Sequence, residues 1–224
     1  MVNKALYAEK LKSINSKLSA HTNLLIVTKT RSLEEIQAYY DLGHRDFGEN
    51  RVQELEDKAR DLAKTCPDIR WHMIGHLQTN KVNTLFKIAN LRAIHSVHDL
   101  HLVDRLIKGQ EKLRHPIDIF LQFNTSREEE KSGFETYTEL VEAAEFILKS
   151  EKLKLRGLMT MGTLRTENFE AEARRCFQEL QVEKDKLQSE FNIKLETSMG
   201  MSQDYEIALE EKSSWIRLGT MMFL

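Results

Sequence analysis

The chain has 224 residues, with 33 Lys and Arg against 35 Asp and Glu, and a formal charge of −2. A 41% hydrophobic content can bury a core, which excludes wholesale disorder, and the near-balanced charge excludes a strongly basic nucleic-acid binder. No apolar run reaches the roughly 18 residues of a membrane span, Met1–Ala5 leads into a charged amphipathic stretch rather than a signal-peptide core, and two cysteines, Cys66 and Cys176, make neither a disulfide framework nor a Cys-rich metal site.

In chain order, Tyr7, Leu11, Ile14 and Leu18 form a helical stripe ahead of a first apolar run, Leu24–Thr28. Ser32-Leu33-Glu34-Glu35 has capping-box spacing, and Leu33, Ile36 and Tyr40 continue at helical intervals. Arg45–Phe47 is a short second strand, and Val52, Leu55 and Leu62 mark the helix after it. Arg70–Ile74 and Ala93–Val97 are the third and fourth strands. Leu102, Val103 and Leu106 mark a helix before Ile117–Phe123, and Leu140, Ala144 and Ile147 mark another before Leu155–Met159. Phe169, Ala173, Phe177 and Leu180 lie on one face ahead of Leu195–Ser198, and a short helix near Tyr205–Glu211 precedes Trp215–Leu218.

Continuous apolar runs suit parallel strands covered on both faces. Several of the eight runs are of this kind, and eight strands alternating with helices predict an α/β fold, a single (β/α)8 TIM-type barrel over residues 1–224 rather than an open doubly wound sheet, with an extra N-terminal helix. The chain stops soon after the eighth strand, so no eighth helix is expected, and the N-terminal helix is expected to cover that part of the barrel. The whole is expected to be a soluble, cytoplasmic protein with neither membrane nor nucleic acid as a partner.

Barrel enzymes and binders place their reacting groups at the C-terminal ends of the strands. That rule selects Lys29, Glu49 and Asn50, Gly75 and His76, Asn124, Met159 and Met161, Ser198 to Ser202, and Arg217, Gly219 and Thr220. Lys29 follows an apolar strand, so its ammonium is expected to be desolvated and its pKa lowered, as Schiff-base chemistry needs; the alternative is a lysine that snorkels to solvent. Ser198-Met199-Gly200-Met201-Ser202 before a short helix offers an anion cradle, or else plain N-capping by Ser202. Gly219 and Thr220 follow the eighth strand, and barrels often build phosphate sites from these last two loops. An aldehyde carrying a phosphate would satisfy both halves, and pyridoxal phosphate fits. Arg217 would then face the pyridine nitrogen and, keeping its own proton, leave that nitrogen unprotonated and the ring a poor electron sink.

The sequence resembles the pyridoxal-phosphate homeostasis proteins, which have the alanine-racemase N-terminal barrel fold. The resemblance rests on Val27-Thr28-Lys29-Thr30, Phe47–Glu54, Trp71–Lys81, Lys131-Ser132-Gly133, Arg156–Met161, Ser198–Ser202 and Ile216–Thr220, in family order along nearly the whole chain. It implies a monomer that holds pyridoxal 5′-phosphate as a Schiff base on Lys29. The phosphate would sit around Ser198, Gly200, Ser202, Gly219 and Thr220, with Arg217 at the ring nitrogen. Asn50 and His76 would line the pocket; Met159 and Met199, with Met161 and Met201, are expected to pack against the ring or fill core gaps. It further implies a role in keeping the cofactor's level in balance, without robust catalysis, and transient contact with apoenzymes that use it. Three positions depart from the family pattern: Thr28 stands where Ser is usual, Arg51 where Tyr is frequent, and Leu224 where Gly commonly follows the last Phe. Thr28 keeps the hydroxyl, Arg51 is expected to add a cation at the pocket mouth, and the altered end bears on the last phosphate contacts.

Racemisation needs acid/base groups on both faces of the substrate carbon. No second domain is expected after Thr220, and none of the five tyrosines is expected at a strand end, with Tyr205, after the phosphate loop, the one candidate kept. A carrier is therefore favoured over a single-domain amino-acid racemase or a weak lyase. A Schiff-base aldolase comes third, with Glu49 as its one strand-end carboxylate. His95, His98 and His101 are expected on a solvated loop-to-helix face rather than at a metal. Arg127–Lys131 is expected to be a solvated loop, and Glu170–Glu190 an exposed helix with ion pairs.

Overall fold

Eight short runs become eight parallel strands: β1 Asn23–Val27, β2 Asp46–Glu49, β3 Arg70–Met73, β4 Leu91–Val97, β5 Ile117–Gln122, β6 Leu153–Met159, β7 Glu196–Ser198 and β8 Trp215–Leu218. Each pairs with its sequence neighbour, and β8 returns to β1 through Asn23 opposite Trp215, closing the barrel. The computed structural model describes residues 2–128, 130–163 and 166–224; Met1 of the opening segment and Glu129 of the charged run lie outside the described residues.

The helices around the barrel are α1 Lys4–Asn15, α2 Leu33–Asp41, α3 Val52–Leu62, α4 Val82–Leu85, α5 Leu100–Gly109, α6 Tyr137–Leu148, α7 Phe169–Phe191, α8 Tyr205–Glu210 and α9 Thr220–Phe223. The capping box at α2 forms as its spacing predicts: Ser32 accepts from Glu35 N, and the Glu35 side chain reaches back to Ser32 N. α4 carried too little periodicity to be foreseen. A one-turn helix does follow β8, contrary to expectation. The N-terminal helix covers the same region, because Tyr7 of α1 stacks on Tyr39 of α2 at 4.8 Å and Phe223 of α9 meets both rings edge-on. That cluster corrects the reading of α2: Tyr39 is buried, whereas Tyr40 turns outward to Asp68.

A large apolar shell fills the space between barrel and helices, while a separate small apolar cluster of Ala93, Phe120 and Met159, with Met161 and Trp215 against it, lies in the barrel interior. The interior also carries polar groups, with His72, His95, Ser198 and Arg217 all buried. At the N-terminal mouth, Arg–carboxylate pairs strap neighbouring strands two by two: Asp46 of β2 to Arg70 of β3, Arg92 of β4 to Asp118 of β5, and Arg156 of β6 to Glu196 of β7.

β6 and β7 approach so closely at Gly157 that a β-carbon there would lie 1.9 Å from the Glu196 carbonyl oxygen. A clash with backbone cannot be relieved by rotating a side chain. Gly157→Ala is expected to cost about 1–3 kcal/mol of stability as an overpacking change, read from the shift of the urea unfolding midpoint.

Candidate functional site

The C-terminal mouth of the barrel opens into a cavity of about 600 Å³ whose wall includes Lys29, Asn50, His76, Ser202, Arg217, Gly219 and Thr220. Those are seven of the eleven residues expected at the cofactor. The other four lie elsewhere. Met159 is buried in the barrel interior and Met199 in the outer core. Ser198 is fully buried beneath Arg217. Gly200 adopts φ +95°, and a β-carbon there would come within 2.5 Å of Ala208, so its role is to let the β7–α8 turn pack. Sequence position alone could not separate residues facing the cavity from those facing the core, because a tight turn alternates the two.

Lys29 sits just past β1 and is exposed rather than desolvated. The backbone on both sides of it is held from α3. Lys58 Nζ donates to Thr28 O at 2.7 Å, to Glu49 Oε1 at 2.7 Å and to Glu54 Oε1 at 2.6 Å. Glu54 Oε1 in turn accepts from Thr30 N at 2.7 Å, where Thr30 takes the left-handed φ of 61° that a β-branched residue avoids. Thr28 Oγ1 donates to Glu49 Oε1 at 2.6 Å, so the hydroxyl kept at this position is used. Burial pushes the Glu49 carboxyl up despite Lys58 and Thr28. Glu49 faces α3 and takes no part in the cavity wall, which removes the aldolase's proton shuttle. Arg51 also stands apart, in a second depression with Arg31, Glu34 and Asp57, and adds no cation to the mouth of the main cavity.

Across the barrel, Arg217 lies buried at the cavity floor. Its Nη1 donates to Ser198 Oγ at 2.9 Å and its Nη2 to Thr160 O at 2.9 Å. Burial pulls the guanidinium down to about 10, against the pull of Asp204, so it stays charged at neutral pH. Asp204, not Ser202, is the residue preceding α8. Its Oδ1 accepts from Met201 N, its Oδ2 is buried with no partner, and burial raises its carboxyl. That leaves Ser202 to the cavity. Tyr205 points away, to Lys17 and Glu206 on the outer surface.

The segment after β5, which sequence reasoning left without a role, forms a side wall. Lys131 Nζ donates to Gly162 O at 3.1 Å and to Glu128 Oε1 at 2.9 Å. Gln122 Nε2 donates to Ser132 O, and Ser132 Oγ pairs with His76 Nδ1 at 3.1 Å. His76 lies against His98 with ring centroids 4.3 Å apart, and burial lowers its pKa. His95 is not on a solvated face: it is fully buried and stacks on Phe120 at 4.3 Å. No cluster of three His, Cys, Asp or Glu suited to a metal occurs among the described residues.

Beneath Ser198, His95, His72 and Asp46 follow in hydrogen-bonded succession. Burial works against the Asp46 charge, but bonds from His72 and Arg70 outweigh it and hold the carboxyl well below the usual range. Its stabilising contribution is therefore present above the unfolded value of about 3.9 and lost as pH falls through the folded value. Asp46→Asn is expected to flatten the acid limb of a plot of thermal midpoint against pH, below about pH 4.

The donor set suits an anion with an aldehyde: an exposed lysine, two hydroxyls at Ser202 and Thr220, and a buried guanidinium with donors left over. Gly219 keeps open the space a side chain would fill, since a β-carbon there meets nothing nearer than Val27 at 3.5 Å. The volume lies in the range of small-ligand sites.

Residues 2–224 match the family model described as alanine racemase, N-terminal domain. The pyridoxal phosphate homeostasis protein of Aquifex aeolicus (strain VF5) is 39% identical over 201 residues, covering 89% of this chain and 85% of that relative. PipY of Synechococcus elongatus PCC7942, solved with PLP bound, superposes with a TM-score of 0.85 at 31% identity, covering 97% of this chain and 100% of PipY. An alanine racemase of Clostridium difficile 630 shares the fold at a TM-score of 0.81 and 14% identity, with 57% of its length covered.

Proposed function

Because the chain belongs to the pyridoxal phosphate homeostasis proteins, built on the alanine racemase N-terminal domain, we propose that it binds pyridoxal 5′-phosphate in this cavity and helps keep the cofactor's intracellular level in balance. The observation that carries the reading is the pairing of an exposed strand-end lysine, Lys29, with the buried charge of Arg217 in one cavity of ligand size. When bound, the cofactor supplies an aldehyde that condenses with an amine. Lys29 provides that amine. Ser202, Gly219 and Thr220 hold the phosphate at the loops after β7 and β8. Arg217 meets the ring nitrogen and retains its own proton, which restrains carbanion chemistry. Asn50 and His76 border the ring from β2 and β3, and residues 1–224 serve as one cofactor-binding domain.

A carrier is favoured over a racemase because the described cavity wall contains no tyrosine to act from the opposite face. In this reading the protein works as a cytoplasmic monomer and meets apoenzymes only transiently. No described helix is long and apolar enough to cross a membrane.

The test is an absorption spectrum with and without added pyridoxal phosphate, followed by borohydride reduction and peptide mapping. A visible band lost on reduction, with the pyridoxyl group on the Lys29 peptide, is expected, together with no racemisation of L-alanine above background. Absence of a band even with excess ligand would overturn the proposal.

A further inference from the structure

Barrel interiors are ordinarily packed with branched apolar side chains. This one carries a line of buried polar groups from the cavity floor to the opposite mouth. We propose that Arg217, Ser198, His95, His72 and Asp46 form a one-way chain of hydrogen bonds, and that His95, His72 and Asp46 are positioning residues which fix the Arg217 guanidinium before any ligand arrives. The part concerning the ligand rests on the reading of Arg217 given above.

The direction follows from donor and acceptor inventory. A guanidinium only donates, so Ser198 Oγ accepts from Arg217 Nη1 at 2.9 Å. The single Ser198 hydroxyl proton then goes to His95 Nδ1, 2.8 Å away. His95 is fully buried, and burial, His72 and Arg217 all disfavour its charged form. Its one proton therefore sits on Nε2, 3.0 Å from His72 Nδ1. With His72 Nδ1 accepting from His95, the remaining ring nitrogen, Nε2, is the donor and bonds Asp46 Oδ1 at 3.0 Å. The ionised Asp46 only accepts, and Arg70 Nε supplies a second bond at 2.7 Å. With His72 neutral, the opposite direction would leave its Nε2 and Asp46 Oδ1 as two acceptors facing each other. Phe120, stacked on His95, and Trp215, 5.1 Å from His72, wall the chain off from water.

The chain has a purpose at its upper end. Ser198, with its proton drawn toward His95, is a stronger acceptor for Nη1. With Nη2 tied to Thr160 O, the guanidinium plane is set by the barrel, and its remaining donors face the cavity already oriented. This is the logic by which outer partners fix the tautomer and aim of a ligand-contacting group.

The test is side-chain 15N NMR of the histidine-labelled full chain at neutral pH, first without ligand and then with pyridoxal phosphate. Both His72 and His95 are expected as neutral Nε2–H tautomers in each sample. A proton on Nδ1 of either ring overturns the chain. Asp46→Asn is expected to reverse it: Arg70 keeps the amide oxygen through Nη2 and gives up its Nε bond, the amide nitrogen takes the place of Oδ1 and turns to His72, and both rings move to Nδ1–H. Inversion of His72 with His95 unchanged overturns the coupling. In the same variant the absorption band of bound pyridoxal phosphate is expected to shift, and an unmoved band beside inverted tautomers overturns the positioning role. A wild-type chain that binds no pyridoxal phosphate defeats the proposed function instead, while the tautomers are still decided on the unliganded protein. If Asp46→Asn does not fold, the wild-type tautomers decide the chain.

Discussion

Replacing Lys29 with Ala is expected to remove every trace of borohydride-fixed pyridoxyl label while leaving the thermal midpoint unchanged. Two structural facts separate these outcomes. The Lys29 side chain is exposed beyond β1, so its removal takes nothing from either core. The backbone that carries it is held by other residues, since Lys58 binds Thr28 O and Glu54 binds Thr30 N. The phosphate and ring contacts proposed above do not involve Lys29, so reversible binding is expected to persist in the variant at reduced affinity, measurable by fluorescence titration. Label found on Lys131, the other lysine of the cavity wall, would overturn the assignment to Lys29.

Lys58→Ala is expected to have the largest effect on stability. Lys58 is buried with Glu49, their side chains 8% and 0% exposed. Removing one partner of such a pair leaves an uncompensated buried charge, at a cost of about 3–5 kcal/mol. Glu49 then takes up a proton more readily than in the parent, where burial already raises its pKa. A group whose folded pKa is raised contributes stability below its unfolded value and loses it as pH rises through the folded one. The variant should therefore be least impaired below about pH 4.3, the ordinary glutamate value, and increasingly impaired above it. Urea unfolding at several pH values reads this directly. A pH-independent loss would mean that Lys58 acts by packing alone. Because Lys58 also fixes the carbonyl before Lys29, the variant should bind pyridoxal phosphate more weakly even where it is folded.

Much of the fold is legible in the amino-acid order, and the reason is specific. A parallel strand covered on both faces favours a continuous apolar run, which marks β1 and β5 plainly, and even β8 is found with its bounds unchanged, whereas β2 and β7 carry more polar residues and are marked mainly by their place in the alternation. The same property hides which side each residue faces. Glu49 and Arg217 are both polar residues near strand ends, yet one faces α3 and the other the cavity. His95 sits three residues from His98 in a pattern that resembles a wet surface, and only the pairing of β4 with β5 places it against Phe120. α4 follows a 3-10 turn and spans one turn, too little for a period to show. The wall at Lys131 and Ser132 comes from a loop that reaches back over the mouth, a path that no local pattern encodes.

Closure itself has a consequence for how the protein is made. Lys29 ends the first stave and Arg217 belongs to the last, and the pairing of Asn23 with Trp215 is what sets them in one cavity. Residues so far apart in sequence meet only after a long loop has been closed, the slowest kind of contact to form. During synthesis the early strands can collect their helices as they emerge, but Lys29 and Arg217 cannot face each other until β8 has left the ribosome. The cavity thus cannot exist before the barrel closes, and under the proposed function pyridoxal phosphate rewards only a closed barrel.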